Sequence, residues 1–201
     1  MPLPSRRSTL FTRVRLGDAP ARLLAILGAI LLLAATPAAG KTKPSLASTP
    51  QTPPRGPAHA TSAWRGGPVP GGDAKTAYCA VEAEFSNGIT LSVARSRAGA
   101  VTMAMLIPNL RSSGAGSWSV TVTLDNSNGD VVTELKASVV DASAGGTIVA
   151  IPLDTIAEPQ TRLSAAKTLT IDSATDRAAF TLPSGTAQAL TQLTACTATM
   201  S

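Results

Sequence analysis

The sequence predicts a mainly β, antiparallel, β-sandwich-like domain with one short internal helix and a C-terminal helix. Three observations support this. Short runs between Cys79 and Leu153 alternate apolar and polar residues, the period of a half-buried strand. Gly-, Asn- and Pro-rich turn signals separate those runs. After Glu158 the apolar spacing lengthens to three and four residues, the spacing of a helix. An α+β grouping of the same elements is the alternative.

The elements follow in order. Cys79, Val81, Ala83 and Phe85 alternate with Ala80, Glu82 and Glu84, and Ile89, Leu91 and Val93 alternate with Thr90, Ser92 and Ala94. Asn87-Gly88 lies between these two runs, and both residues tolerate positive φ, so a hairpin is expected there. Val101 to Ile107 is a third strand, stopped by Pro108. Trp118, Val120, Val122 and Leu124 form one face of a fourth strand, which ends in the turn sequence DNSNGD at 125–130. Val131 to Val140 and Thr147 to Leu153 are further strands around Gly145-Gly146. Glu158 to Lys167 is a short helix with Pro159 in its first turn and Leu163 and Ala166 on one side. Thr168 to Asp172 and Ala178 to Leu182 form a last hairpin around SATD. Ser184 is placed to cap a terminal helix whose stripe is Ala187, Leu190, Leu193 and Cys196.

This domain, 78–201, follows two segments of different composition. Residues 1–22 hold five arginines and one acid, and Leu23 to Ala35 is an uncharged apolar run, the pattern of an export signal. Ala38 and Gly40 supply the small residues of a cleavage site after Gly40. If the segment stays uncleaved, Leu23 to Ala39 is an inner-membrane anchor at the short limit of a spanning helix. Arg6-Arg7 also fits a twin-arginine signal. Residues 41–77, with seven prolines and no apolar periodicity, read as a disordered Pro/Gly-rich tether. Pro50, Pro53, Pro54 and Pro57 there give PxxP spacing as well. The one histidine, His59, falls inside this tether. The expected location is therefore periplasmic or secreted, or anchored with a periplasmic domain.

The chain's formal charge of +5 does not describe a nucleic-acid binder. Residues 1–75 carry ten Lys+Arg against two Asp+Glu, and residues 76–201 carry seven against ten. The basicity thus belongs to the leader and tether, and six aromatics leave little to stack on bases.

Cys79 opens the first strand of the expected domain and Cys196 lies near the end of the last helix. In an exported chain two such cysteines are expected to be bridged. Closing a loop of 117 residues is worth about 4–5 kcal/mol in the chain-entropy model.

Catalytic inventory is thin. With His59 alone, no Ser-His-Asp triad or His-based metal site is expected in the domain. Ser164 to Lys167 matches SxxK spacing, but the SDN and KTG partners of that machinery are absent. The carboxylates fall on a polar strand face, as Glu82 and Glu84 do, or at turns, as a solvated surface would place them. DNSNGD lacks the ladder of a calcium loop. No cofactor is expected. Tyr78, Trp118, Arg95 and Arg97 are the candidate interaction residues, with core packing the competing role for Trp118.

The series formed by the leader, Cys79, IPNL at 107–110, SWSVTVTLDNSNG at 117–129, LTID at 169–172 and AAFTLPSGTAQALTQL at 178–193 resembles the invasion-associated locus B family of exported alphaproteobacterial proteins. The similarity spans the domain only. The mid-domain cysteine pair usual in that family is absent here, and Cys196 is additional. The resemblance implies a small exported β-rich protein without a catalytic centre, linked in some members to host contact. The combined expectation is a non-enzymatic envelope protein that binds another envelope or cell-surface protein or acts as a structural adaptor. A small-ligand-binding sandwich and a Lys- or carboxylate-dependent hydrolase of envelope substrates are the alternatives.

Overall fold

The computed structural model describes residues 56–69, 77–110, 115–127, 129–143 and 145–200. The leader, the candidate cleavage residues Ala38 and Gly40, the candidate anchor, and residues 41–55 and 70–76 of the expected tether lie outside the described residues.

The strands are β1 (Ala58–His59), β2 (Arg65–Val69), β3 (Tyr78–Glu84), β4 (Thr90–Ser96), β5 (Val101–Ile107), β6 (Gly116–Asn126), β7 (Val131–Asp141), β8 (Thr147–Pro152), β9 (Ala166–Ser173) and β10 (Arg177–Thr181). The helices are α1 (Pro159–Ala165), between β8 and β9, and α2 (Thr186–Ala198), after β10. The fold is mostly β with a short internal and a C-terminal helix, as the periodicity predicts. Its strands form one curled sheet in the order β1-β10-β9-β6-β7-β8-β5-β4-β3-β2. Every pairing is antiparallel except β1 with β10.

The largest departure from expectation is at 56–69. The composition predicts a disordered tether there, yet this stretch supplies two strands. Ala58 and His59 pair with Phe180 and Thr181 of β10. The next residues turn to the other end of the sheet: Ala60 bridges Phe85, Thr61 N–H donates to Glu84 C=O at 2.8 Å, and Ser86 N–H donates to His59 C=O at 2.9 Å. Residues 58–61 therefore join β10 to the end of β3 and close the curl. β2 then continues along β3, with Arg65 opposite Glu82 and Val69 opposite Tyr78. Backbone pairing to β10 and β3, rather than intrinsic propensity, holds this Pro- and Gly-containing segment in place.

One core fills the curl. Leu91, Met103, Leu124, Ile151, Leu169, Phe180 and Leu193 are among its buried members, contributed by both halves of the sheet and by α2. Val120, Val122 and Leu124 point into it, as their alternation predicts. A second, smaller buried cluster contains Val69, Tyr78, Ala80, Ala94, Ala104, Ile148 and Ala150. β3 contributes alternate residues to the two clusters, so it is buried on both faces, not on one.

The helix termini differ from expectation in detail. α2 begins at Thr186 behind Gly185, whose φ of 99° is open to glycine at little cost, and Ser184 makes no side-chain cap. The buried stripe becomes Thr186, Ala189, Leu190, Leu193 and Thr197, and Ala187 faces solvent. Pro159 does open α1, but Ala166 and Lys167 already belong to β9. No helix among the described residues is long and apolar enough to cross a membrane.

Candidate functional site

The seam between β2 and α2 gathers the chemistry that the fold concentrates. Cys79 of β3 and Cys196 of α2 form a disulfide with Cα atoms 6.2 Å apart, within the ordinary span of such bonds. It ties the C-terminal helix to the strand that β2 flanks. Cys79 is fully buried, and Cys196 is half-buried at the rim.

Two side chains from 56–69 complete the seam. The Trp64 indole N–H donates to Thr186 Oγ1 at 2.8 Å, and that hydroxyl donates to Pro183 C=O at 2.7 Å. The start of α2 is thus held to the segment leading into β2. Arg65 reaches two carboxylates of β3, with Nε 3.3 Å from Glu82 Oε1 and Nη2 2.5 Å from Glu84 Oε1. Glu82, expected on a solvated face, is only 5% exposed, and β2, paired beside β3, brings a cation directly opposite it. A carboxylate so placed needs that partner.

Between these anchors lies a cleft of about 50 Å³ lined by Trp64, Gly66, Gly67, Gln192, Leu193 and Cys196, among others. Gly66 fits only as glycine: a Cβ there would stand 2.0 Å from Ala80 O. β2 ends the sheet order, so its outer edge has no strand partner among the described residues. Pro68, lacking an N–H, sits in this strand.

The residues singled out from sequence are distributed as follows. The disulfide pair is at the seam. Tyr78 is 1% exposed in the second buried cluster, which corrects its reading as a contact residue: both faces of β3 are covered. Trp118 is half-buried and packs against the main core, the competing role. Arg95 is held between α1 and α2, where its guanidinium donates to Gln160 Oε1 and lies 3.5 Å from Thr194 Oγ1. Arg97 is exposed in the turn after β4.

Ser164 and Lys167 are not brought together as an SxxK turn. α1 ends at Ala165, Ser164 Oγ donates to Thr161 C=O at 2.8 Å, and Lys167 is exposed on β9. Among the described residues no group of three His, Cys, Asp or Glu converges as metal ligands. His59 is exposed in β1, and its N–H donates to Ser86 Oγ.

Trp64, Arg65 and Gly66 are the seam residues that the sequence reading missed. A tryptophan inside a Pro-rich stretch was the available signal, since disordered segments hold few aromatics. No known protein family, curated protein or solved structure matches this chain.

Proposed function

We propose that this chain is an exported envelope protein whose disulfide-closed β domain works as a protein-binding adaptor, and that the partner docks along the seam of β2 and α2. The observation that carries the reading is the outer edge of β2, which has no strand partner among the described residues, beside a small cleft. Unpaired backbone groups on a sheet edge accept an extended polypeptide as an added strand, and side-chain pockets beside the edge supply selectivity. A cleft of about 50 Å³ is far smaller than the roughly 300–1,000 Å³ of small-molecule sites, which favours a polypeptide lying across the surface over a metabolite held within the cleft.

Export is supported by the leader at 1–40 and by the disulfide, since such bonds persist in oxidising compartments. In this reading residues 41–55 act as a spacer between the leader and the domain, which is shorter than the tether first expected.

The test is photo-crosslinking in native cells, with the cross-linking residue introduced at Gln192 or Gly67 on the seam and at Glu134 on β7 as control. The reading predicts one envelope protein captured from both seam positions and not from Glu134. Equal labelling at all three, or none at the seam, would reject it.

A further inference from the structure

The outer face of β3, β4, β5 and β8, on the side of the sheet away from the core, is buried although neither described helix lies on it. Strand pairing aligns its short side chains in two rows: Ala80 beside Ala94 and Thr102, and Ser92 beside Ala104 and Ala150. These rows form a trough, bordered toward one end of the strands by Tyr78 and toward the other by Leu106 and Ile148. Ala80, Ala94, Ala104, Ile148 and Ala150 are each at most 2% exposed. An antiparallel sheet with one face on a core commonly turns the other to water. The helices do not account for the difference, because Leu163 of α1 and Ala189, Leu190 and Leu193 of α2 pack into the core inside the curl. A single chain by itself buries the trough, so the cover belongs to that chain.

Outside the described residues, 70–76 (PGGDAKT) and 111–114 (RSSG) hold no large apolar side chain. Residues 1–55 do, and their longest apolar run is 23–35. As a helix these 13 residues span about 20 Å, and four adjacent strands span about 15–20 Å. Helical spacing puts Leu23, Ile26, Leu27, Ile30 and Leu33 along one side and Ala25, Gly28 and Ala29 along the other. A side of large residues suits a floor of alanines, because facing layers interdigitate when large meets small. The 22 residues from 36 to 57 reach about 70 Å when extended, ample to bring the run from β1 to this face.

We propose that residues 23–35 of the uncleaved chain seat as a helix in this trough, large side inward, and that cleavage after Gly40 bares the face. The leader then has a second role beside export, as a cover for an apolar surface of its own domain. The trough lies on the side of β3 opposite Cys79 and the disulfide, so this docking is independent of any partner at the seam.

The full-length chain, kept uncleaved by Gly40→Leu, carries p-benzoylphenylalanine in place of Leu27 and is irradiated in detergent-free buffer. Peptide mapping should place the cross-link within 90–106 or 148–150 of the same molecule. Cross-links only between copies would assign the face to a second chain, and adducts only with co-purified lipid would assign the run to a bilayer; either overturns the proposal, as does a cross-link confined to the seam. Fluorescence of anilinonaphthalene sulfonate reads the bared face with the domain itself unchanged. The cleaved chain, 41–201, should enhance it at least threefold over the uncleaved protein. Leu27→Glu combined with Ile30→Glu in the uncleaved protein should raise it to the level of 41–201. Equal fluorescence from the uncleaved and cleaved chains would overturn the cover.

Discussion

Phe85 and Phe180 meet edge to face, with ring centroids 4.9 Å apart and planes inclined at 71°. Their backbone partners, Ala60 and Ala58, are two residues apart in one short segment. The aromatic contact and the strand segment therefore close the sheet together, one from inside the core and one through the backbone. Phe85→Ala and Phe180→Ala should each cost about 3–5 kcal/mol. Urea unfolding of the double variant should reveal a coupling of about 0.5–1.5 kcal/mol. Strict additivity would mean that the rings do not act as a pair.

The placement of 56–69 in the domain predicts where a truncated chain stops folding. A chain beginning at residue 56 keeps β1, β2, Trp64 and Arg65 and should unfold cooperatively like the full protein. One beginning at Tyr78 uncovers β3, strips Glu82 of its cation and reopens the curl. It should lack a sharp thermal transition and aggregate through the freed edge. A two-state melt from the shorter chain would show that the segment is dispensable.

Arg65 is 44% exposed at its side chain and Glu82 only 6%, so the two ends of this ion pair are unequal. Loss of the arginine strands a covered carboxylate. Arg65→Met should destabilise by about 1–3 kcal/mol, the lower part of that range reflecting solvent access on the arginine side. Adding Glu82→Gln should recover most of the loss. Chemical denaturation of the three variants checks this, and an Arg65→Met protein as stable as wild type would contradict it.

Two neighbouring glycines in β2 should respond in opposite ways. Gly66→Ala drives a methyl group into the Ala80 carbonyl and should cost at least about 2 kcal/mol, or detach β2 altogether. At Gly67 the same substitution meets open space, and the change should lie within about 1 kcal/mol of zero, with reduced unfolded-state entropy favouring stability. Thermal melts of the two variants give the comparison directly. Similar losses would indicate that the close approach at Gly66 is not what selects glycine.

Much of this architecture is legible in the residues, for reasons that vary along the chain. Val101–Ile107 is bounded by Pro108 and stands as read. The hairpin at Asn87-Gly88 and the two helices carry local signals of turn chemistry and period. β1 and β2 carry none. RGGPV has no alternation, contains a proline, and becomes a strand only because β3 offers it a backbone to pair with. Tyr78 and Glu82 were misplaced for a related reason. Alternation on β3 identifies two faces but does not say that both are covered. At the site, the cysteines announced the disulfide, whereas the Trp64–Thr186 contact joins residues 122 positions apart and has no local signature.

The account rests on a domain closed by an oxidised Cys79–Cys196 bridge in an exported protein, and the thiol state of the protein in its own cells tests this most directly. Cells are lysed in the presence of an alkylating agent, and the protein is then reduced and treated with a second, heavier one. The account predicts no label from the first reagent, two from the second, and a Cys79–Cys196 linked peptide when reduction is omitted. First-reagent label on both cysteines would contradict it.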